Sequence, residues 1–295
     1  MKIAVHILAY NVTRFIQAVL ENALPHVDKI YIAYPNRPWG YVQDSRDTGA
    51  NPTTLADIQK SASSSKIEIV QGDWDTEEAM RNACLQKAKA EGFDWFLIQD
   101  ADEFYTEATW ENIKAYLASN TENDLLITTW YNFWKSSHYV VTYSNGSIKG
   151  TNAGFALRCA SDIHFTSKRL TNARAPKIID FVCYHYGYVM SDEQMHEKLK
   201  TWGHAKEVNT PAWFLHKWRN WDETTEFLHP TNPSHWHKAI RFPLEQPPFA
   251  EQFALALHTP KKKNTDRLGA WYYNTKVAIN KEIHSYKQVL KSIFS

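Results

Sequence analysis

The N-terminal half of the chain alternates short apolar runs, typical of buried strands, with longer segments whose apolar positions recur at helical spacing. The predicted strands are Lys2–Leu8, Val27–Tyr34, Lys66–Val70, Phe93–Gln99 and Asp124–Tyr131. The predicted helices are Val12–Leu24, Thr54–Ala62, a helix opened by an Asp75/Glu78 capping box and ended by Gly92, and Thr106–Ser119. This order predicts an α/β fold with a mainly parallel sheet and helices on both faces.

The pattern changes after about residue 135. Tyr139–Tyr143 followed by Asn145-Gly146 predicts a β-hairpin, because Asn-Gly accommodates the positive φ angles of a tight turn. Further predicted elements are a strand over Ile178–Tyr184, a helix from a Ser191/Gln194 capping box through about Lys206, an extended wrap over the proline-rich residues 227–248, and a long helix over Leu268–Phe294.

Composition narrows the class of protein. Of the 295 residues, 43% are hydrophobic and 22% are charged, which is typical of a folded globular chain. Three widely spaced cysteines indicate neither a disulfide framework nor a zinc site, and no apolar run reaches the roughly 18 residues of a membrane span. With no signal-peptide pattern at its start, the chain is expected to be cytoplasmic.

Charge is unevenly distributed between the two halves. Residues 1–148 carry 12 Lys and Arg against 19 Asp and Glu, whereas residues 149–295 carry 21 against 13. The net charges are therefore −7 and +8, and we expect the basic half to face an anionic partner.

The clearest chemical signal follows the strand Phe93–Gln99, where Asp100, Asp102 and Glu103 come directly after the apolar run. The carboxyl ends of such strands form the edge at which open α/β folds bind ligands. Two carboxylates one residue apart can hold a hard divalent cation, and such a cation can neutralise a diphosphate. The alternative is an acidic loop that caps the following helix.

Three other segments accompany this motif: Leu8-Ala9-Tyr10-Asn11 after the first strand, Arg81-Asn82 on a helix, and His185-Tyr186-Gly187-Tyr188 before a helix with Met195 and Lys198. In this order the four segments resemble the family-2-like glycosyltransferases of the GT-A fold. The resemblance implies a GT-A-type, Rossmann-like mixed sheet over residues 1–205. Residues 206–295 are then a helical, aromatic-rich extension packed on that domain.

The resemblance implies transfer of a sugar from a nucleoside-diphosphate sugar, most simply a UDP-sugar, to a hydroxyl acceptor. It implies that Ala9, Tyr10 and Asn11 embrace the base and ribose, that Asp73 hydrogen-bonds the base, and that Arg81 lies at the nucleotide edge. The alternatives are that Tyr10 and Asn11 only end a strand and cap a helix, and that Arg81 is an exposed helix charge.

The resemblance also implies a cofactor, Mn²⁺ or Mg²⁺. Asp100 would reach the ribose or the metal, Asp102 would bind the metal, and His185 would be a further ligand. The alternative for His185 is a hydrogen-bonded histidine of the core.

An inverting transferase additionally needs a carboxylate that deprotonates the acceptor hydroxyl. The resemblance implies a base between the acidic motif and His185, where Asp162 and Asp180 are the choices. Asp162 follows a loop-like segment and Asp180 lies inside a predicted strand, so Asp162 is the predicted catalytic base. The family's acidic base motif is not legible here, which leaves inverting and retaining chemistry both open.

The second half bears on the acceptor. Its tryptophans alternate with basic residues: Trp202, Trp213, Trp218 and Trp221 with Lys200, Lys206, Lys217 and Arg219. A basic aromatic surface suits an anionic acceptor, either a glycan or glycoconjugate or a DNA base such as a hydroxymethylpyrimidine, although the same rings could instead form a core. A nucleotidyltransferase and a non-catalytic binding protein are the other classes, and no Gly-rich triphosphate loop follows the first strand.

Overall fold

A computed structural model describes residues 1–37, 50–160, 162–201, 210–245, 248–254, 268–276 and 279. The strands are β1 (Ile3–Leu8), β2 (Lys29–Pro35), β3 (Ile67–Gly72), β4 (Trp95–Ile98), β5 (Glu103–Phe104), β6 (Leu125–Trp134), β7 (Ser136–Thr142), β8 (Gly150–Arg158), β9 (Phe165–Ser167), β10 (Leu170–Thr171), β11 (Pro176–Tyr188) and β12 (Lys238–Arg241). The helices are α1 (Ile16–Ala23), α2 (Leu55–Ser61), α3 (Glu77–Ala90), α4 (Glu107–Ser119), α5 (Asp192–Thr201) and α6 (Thr210–Trp213). A π-helical turn, Phe214–Arg219, follows α6.

One mixed sheet organises the chain. Its strand order is β12-β7-β6-β8-β4-β1-β2-β3, and β11 pairs in parallel with β6 and antiparallel with β5. Strands β4, β1, β2 and β3 are all parallel, and β8 joins antiparallel between β4 and β6. The N-terminal strands are therefore joined by crossover connections that contain helices, as parallel neighbours require.

Helices cover both faces of the parallel strands, because alternate strand residues point to opposite sides. Val5 and Ile7 of β1 pack in the cluster that contains residues of α1, α2 and α4. Ala4 of β1 and Phe96 of β4 pack in the cluster that contains Met80 of α3. The predicted α/β fold class, a mixed sheet with helices on both faces, is confirmed.

Helix starts match the predictions only in part. Ser191 and Gln194 exchange the two hydrogen bonds of a capping box at the start of α5, as predicted. The predicted Asp75 cap of α3 is wrong: Thr76 is the N-cap, and its hydroxyl accepts from the backbone N–H of Ala79. Glu78 instead accepts from the backbone N–H of Lys168 and so holds a distant loop.

The predicted hairpin after Tyr139 is wrong in its pairing. The turn forms, with Gly146 at φ 79° and its N–H bonded to the carbonyl of Tyr143. However, β7 pairs with β6 and β12, whereas β8 is inserted between β6 and β4. The turn residues fix the local bend, but the partner of each strand is decided by the whole sheet.

The C-terminal part completes the sheet and carries a tryptophan core. Strand β12 adds to the free edge of β7. Trp213 and Trp218 are fully buried and pack with Trp134 of β6 and Tyr188 of β11. These rings are interior, so at these positions the structure shows the core alternative and not an aromatic surface for an acceptor.

Several predictions fall partly or wholly outside the described residues. These are Trp202, Lys206, the boundary at 205/206 and most of the helix Leu268–Phe294, of which residues 268–276 are helical. The proline-rich segment 227–248 contains β12 and a 3₁₀ turn over Pro233–His235 rather than only extended chain. Within the described ranges, every helix is too short or too polar to span a membrane.

Candidate active site

An open cleft of about 370 Å³ lies at the carboxyl ends of β1 and β4. Leu8 ends β1, residues 10–15 form the loop into α1, and Glu77 begins α3. Three positions of the acidic motif and three residues in and before α5 complete the lining: Asp100, Ala101, Asp102, Met190, Gln194 and Lys198. Parallel strands bring these loops to one edge, so residues from distant segments meet there.

The structure brings four predicted site residues into this cleft: Tyr10, Asn11, Asp100 and Asp102. Asn11 adopts a left-handed backbone with φ 54°, which turns the chain out of β1, and asparagine tolerates this conformation better than most residues. Ala9 is fully buried beneath the loop, and its carbonyl accepts a hydrogen bond of 2.6 Å from the side chain of Asn51.

Asn51 fixes the loop after β1, although nothing in the local pattern of the sequence marks it. Its amide nitrogen also donates to the carbonyl of Pro35 at the end of β2, at 2.9 Å. Its oxygen accepts from the backbone N–H groups of Asn11 and Thr53. The hydroxyl of Thr53 accepts from the N–H of Val12 at 2.7 Å. A single buried side chain thus joins the ends of β1 and β2.

Two buried arginines support the acidic motif. Nη2 of Arg81 lies 3.2 Å from Oδ1 of Asp100, and Nη2 of Arg169 lies 2.9 Å from Oδ2. Arg81 is fully buried on α3 and also donates to Glu77, while Arg169 donates to the buried Glu103. Arg81 therefore lies behind the cleft wall.

These contacts control the ionisation of the motif. Burial raises the pKa of the Asp100 carboxyl, but Arg169 and Arg81 outweigh it and hold that pKa well below its usual range. Asp100 is therefore an ionised carboxylate whose charge is already opposed by two guanidinium groups. Arg169 lies in the turn between β9 and β10. Its partners, Asp100 and Glu103, are more than 60 residues away in the sequence, so the local sequence pattern does not mark Arg169 as a site residue.

Asp102 and His185 face each other at the edge of the cleft. Nδ1 of His185 lies 2.7 Å from Oδ1 of Asn132, so the ring is oriented to donate there. Nε2 then directs its lone pair toward Oδ1 of Asp102, 3.7 Å away. Burial lowers the pKa of His185 to about 4, which leaves the ring neutral near pH 7. An imidazole nitrogen and a carboxylate oxygen facing each other are both acceptors, and a cation satisfies both.

Gly187 keeps the space beside these two acceptors open. A Cβ atom at this position would lie 2.5 Å from Nε2 of His185 and 3.0 Å from Oδ2 of Asp102. The distance to Nε2 is close to the length of a metal–ligand bond, the distance to Oδ2 is longer, and any residue larger than glycine would fill this space. The residues present therefore fit a divalent cation such as Mn²⁺.

Two basic side chains, Lys198 and Arg14, line the α5 side of the cleft. Nζ of Lys198 donates to the carbonyl of Gly187 at 2.6 Å, and burial lowers the pKa of its ammonium. Arg14 donates to the carbonyl of Val189, while its buried Nη2 has no hydrogen-bond partner within the described ranges. A phosphate oxygen is the ligand that would satisfy such groups.

Two predicted residues lie elsewhere. Asp73 follows β3 at the same sheet edge, 3.2 Å from the side-chain nitrogen of Asn36, outside the cleft lining. Asp162 lies near the far end of α3, where Lys89 donates to the carbonyl of the next residue, Ile163. Glu77 lines the cleft at the other end of this 14-residue helix, about 20 Å away along its axis.

The structure therefore does not bring Asp162 to the cleft. Asp180, the other choice for the base, is 71% exposed on β11 and pairs with Lys149 at 2.7 Å. Among the described residues, the carboxylates that line the cleft are Glu77, Asp100 and Asp102.

Comparison with known proteins gives weak similarities. No protein-family profile matches the chain, and no curated protein matches it significantly. The chain is similar to 4-diphosphocytidyl-2C-methyl-D-erythritol synthase from Anaerococcus prevotii, with 14% identity, 66% of this chain and 93% of that chain covered, and a TM-score of 0.36. It is also similar to glucosyl-3-phosphoglycerate synthase from Mycobacterium tuberculosis in complex with Mn²⁺, UDP-glucose and phosphoglyceric acid, with 14% identity, 44% of each chain covered and a TM-score of 0.33. Similarities of this size assign no activity.

Proposed function

We propose that the chain is a divalent-cation-dependent glycosyltransferase that takes a sugar from a nucleoside-diphosphate sugar. The observation that carries this proposal is the pair of facing acceptors, Asp102 and His185, with open space beside Gly187. This pair lies at the edge of a cleft that is also lined by two basic side chains, Arg14 and Lys198. The site therefore combines a position for a metal ion with groups that can bind phosphate.

Asp102 and His185 are the proposed metal ligands. Asp100 was expected to share this role, but Arg81 and Arg169 already oppose its charge, so we assign it to the cleft wall beside the ribose. When bound, Mn²⁺ or Mg²⁺ supplies positive charge that neutralises the diphosphate. The two arginines act as positioning residues, because they hold the acidic motif from behind.

The remaining cleft residues have proposed roles in donor binding. Tyr10 and Asn11 flank the base and ribose, and Asp73 is retained as a contact to the base because it follows β3 at the same edge. Lys198 and Arg14 stabilise the charge that develops on the departing diphosphate, since preorganised cations in a partly desolvated cleft need little reorganisation. Asp162 no longer has a proposed role as the base, because it lies at the far end of α3.

The proposed acceptor is a glycan or glycoconjugate, preferably one that carries phosphate or acid groups. The net charge of +8 over residues 149–295 favours such an anionic acceptor. Stacking on an extruded DNA base lacks support from Trp213 and Trp218, because both rings are buried in the core.

Product analysis tests the type of transfer. UDP-, GDP- and TDP-sugars, and a CMP-sugar as the comparison that lacks a diphosphate, are first screened by thermal shift with and without Mn²⁺. The stabilising nucleoside-diphosphate sugar is then incubated with phosphorylated and neutral oligosaccharides. Release of the nucleoside diphosphate with a glycosylated product supports the proposal. Release of pyrophosphate from a nucleoside triphosphate and a sugar phosphate would instead show a nucleotidyltransferase and overturn it.

A further inference from the structure

A second group of metal-ligating side chains lies where α1 leads into β2 and α4 begins. His26 follows α1, and Glu107 and Glu111 lie one turn apart on α4. One ligand atom of each residue lies within 4.8 Å of the others. The group is separate from the cleft, because Arg14 and Phe15 line the cleft before α1 begins, whereas His26 lies beyond its other end.

The ring of His26 is held in place. Its side chain is 4% exposed and stacks on the indole of Trp110, with the ring centroids 5.1 Å apart and an interplanar angle of 9°. Trp110 is itself buried and lies on α4 between the two glutamates. The imidazole is therefore fixed against the helix that carries both carboxylates.

Both ring nitrogens face carboxylate oxygens. Nε2 of His26 lies 3.2 Å from Oε2 of Glu107, and Nδ1 lies 3.8 Å from Oε1 of Glu111. A neutral imidazole has one N–H, so one nitrogen turns a lone pair toward an oxygen that can only accept. Nδ1 is buried and has no hydrogen-bond partner in the described part of the chain.

The charges around the ring leave a place for a cation. Nζ of Lys114 lies 2.7 Å from Oε1 of Glu111 and offsets one of the two negative charges. Glu107 is 78% exposed, and its charge faces the His26 ring. Lys114 sits on a flexible four-carbon stem at the surface, so it can yield its position to an ion that binds both carboxylates.

We propose that His26, Glu107 and Glu111 form a structural site for Zn²⁺, separate from the cleft. One imidazole nitrogen and two carboxylate oxygens are ligands that Zn²⁺ accepts, and the exposed side leaves room for water as a further ligand. The ion joins the connection after α1 to the first turns of α4, and it stabilises the folded chain because the unfolded chain does not hold the three ligands together.

Calorimetric titration of Zn²⁺ into the Asp102→Asn chain tests this site, since that background lacks the proposed cleft ligand. We expect one Zn²⁺ per chain and a higher melting temperature in zinc. Glu107→Gln and Glu111→Gln, each added to this background, should weaken the binding about tenfold or more and abolish the zinc-dependent shift. Both glutamates are exposed, so these variants are expected to fold.

Glu197→Gln is the matched control. Glu197 is an exposed glutamate on a helix and lies 2.7 Å from Nζ of Lys200, three residues further along the chain. Glu111 makes the same kind of pair with Lys114. Its substitution should leave zinc binding unchanged. The proposal is overturned if the folded Asp102→Asn chain binds no Zn²⁺, or if both glutamine variants bind it as tightly as their parent. Either outcome leaves the glycosyltransferase proposal intact, because the two sites share no ligand.

Discussion

At the scale of single residues, Gly187 limits what the cleft can bind. A Cβ atom there would lie 2.5 Å from Nε2 of His185, in the space assigned to the cation. Gly187→Ala should therefore weaken Mn²⁺ binding about tenfold or more while the fold persists. Mn²⁺ affinity from electron paramagnetic resonance and secondary structure from circular dichroism measure the two effects. Unchanged affinity in a folded variant would remove the cation from this position.

His6 makes stability depend on pH. It is fully buried on β1, and burial lowers its pKa to about 3. Between that value and the ordinary pKa of about 6.5, the unfolded chain binds a proton that the folded chain does not, so stability falls as the pH falls. The contribution of His6 should approach about 1.4 kcal/mol per pH unit.

His6→Leu isolates this effect, because neither ring nitrogen of His6 has a hydrogen-bond partner in the described structure and all other titrating groups are kept. Urea unfolding of both proteins at pH 7, 6 and 5 measures it. The wild type should lose more stability than the variant over this range, and parallel pH profiles would show that His6 is protonated in the folded chain.

At the scale of elements, the segment before α2 controls the loop after β1. Asn51→Ala removes the hydrogen bonds to the carbonyls of Ala9 and Pro35, so the loop that carries Tyr10 and Asn11 loses its support. We expect weaker nucleoside diphosphate binding with Mn²⁺ binding unchanged. Calorimetric titration of each ligand separates the two.

Thr54→Ala is the control from the same segment. It removes the N-cap of α2, which costs about 0.5–2 kcal/mol of stability, without touching the cleft. Nucleotide affinity should survive in this variant. Equal losses of affinity in Asn51→Ala and Thr54→Ala would mean that Asn51 acts only through stability.

Local signals explain which elements could be predicted. Apolar runs and helical periodicity predicted β1 to β4 and α1 to α4 because these elements bury one face or both. Helix α1 starts at Ile16 rather than at the predicted Val12, and the N–H of Val12 instead bonds Thr53 in the cleft loop. The pairing of β8 and the position of Arg169 depend on contacts distant in sequence, which a local pattern does not contain.

At the scale of the whole molecule, the tryptophan core joins the C-terminal part to the cleft. Trp213 is fully buried, donates from Nε1 to the carbonyl of Leu228, and belongs to the same cluster as Met190, which lines the cleft. Trp213→Ala should cost about 3–5 kcal/mol and lower the midpoint of one cooperative transition.

The coupling between the tryptophan core and the cleft is measured by thermal unfolding. Near-ultraviolet circular dichroism monitors the aromatic core, and nucleotide binding monitors the cleft. The two signals should shift together in Trp213→Ala, and by less in Trp213→Phe. If nucleotide binding survives after the aromatic signal is lost, the division predicted near residue 205 separates units that unfold independently.

The acidic residues of the cleft could be predicted, because Asp100 and Asp102 follow a buried strand. The charges that surround them could not be predicted. The sequence does not show that Arg81 and Arg169 neutralise Asp100, or that Asp162 lies at the distant end of α3. Both facts depend on how the sheet brings separate segments together.

The most direct test of the central claim is calorimetric titration of nucleoside diphosphates into the wild type, Asp102→Asn and Asp180→Asn, with Mn²⁺ and with chelator. Asp180 is an exposed carboxylate outside the cleft and serves as the matched control. The wild type and Asp180→Asn should bind a nucleoside diphosphate in Mn²⁺ and lose it in chelator, and Asp102→Asn should bind about tenfold or more weakly in Mn²⁺. Equal binding in chelator, or by Asp102→Asn, would contradict the account.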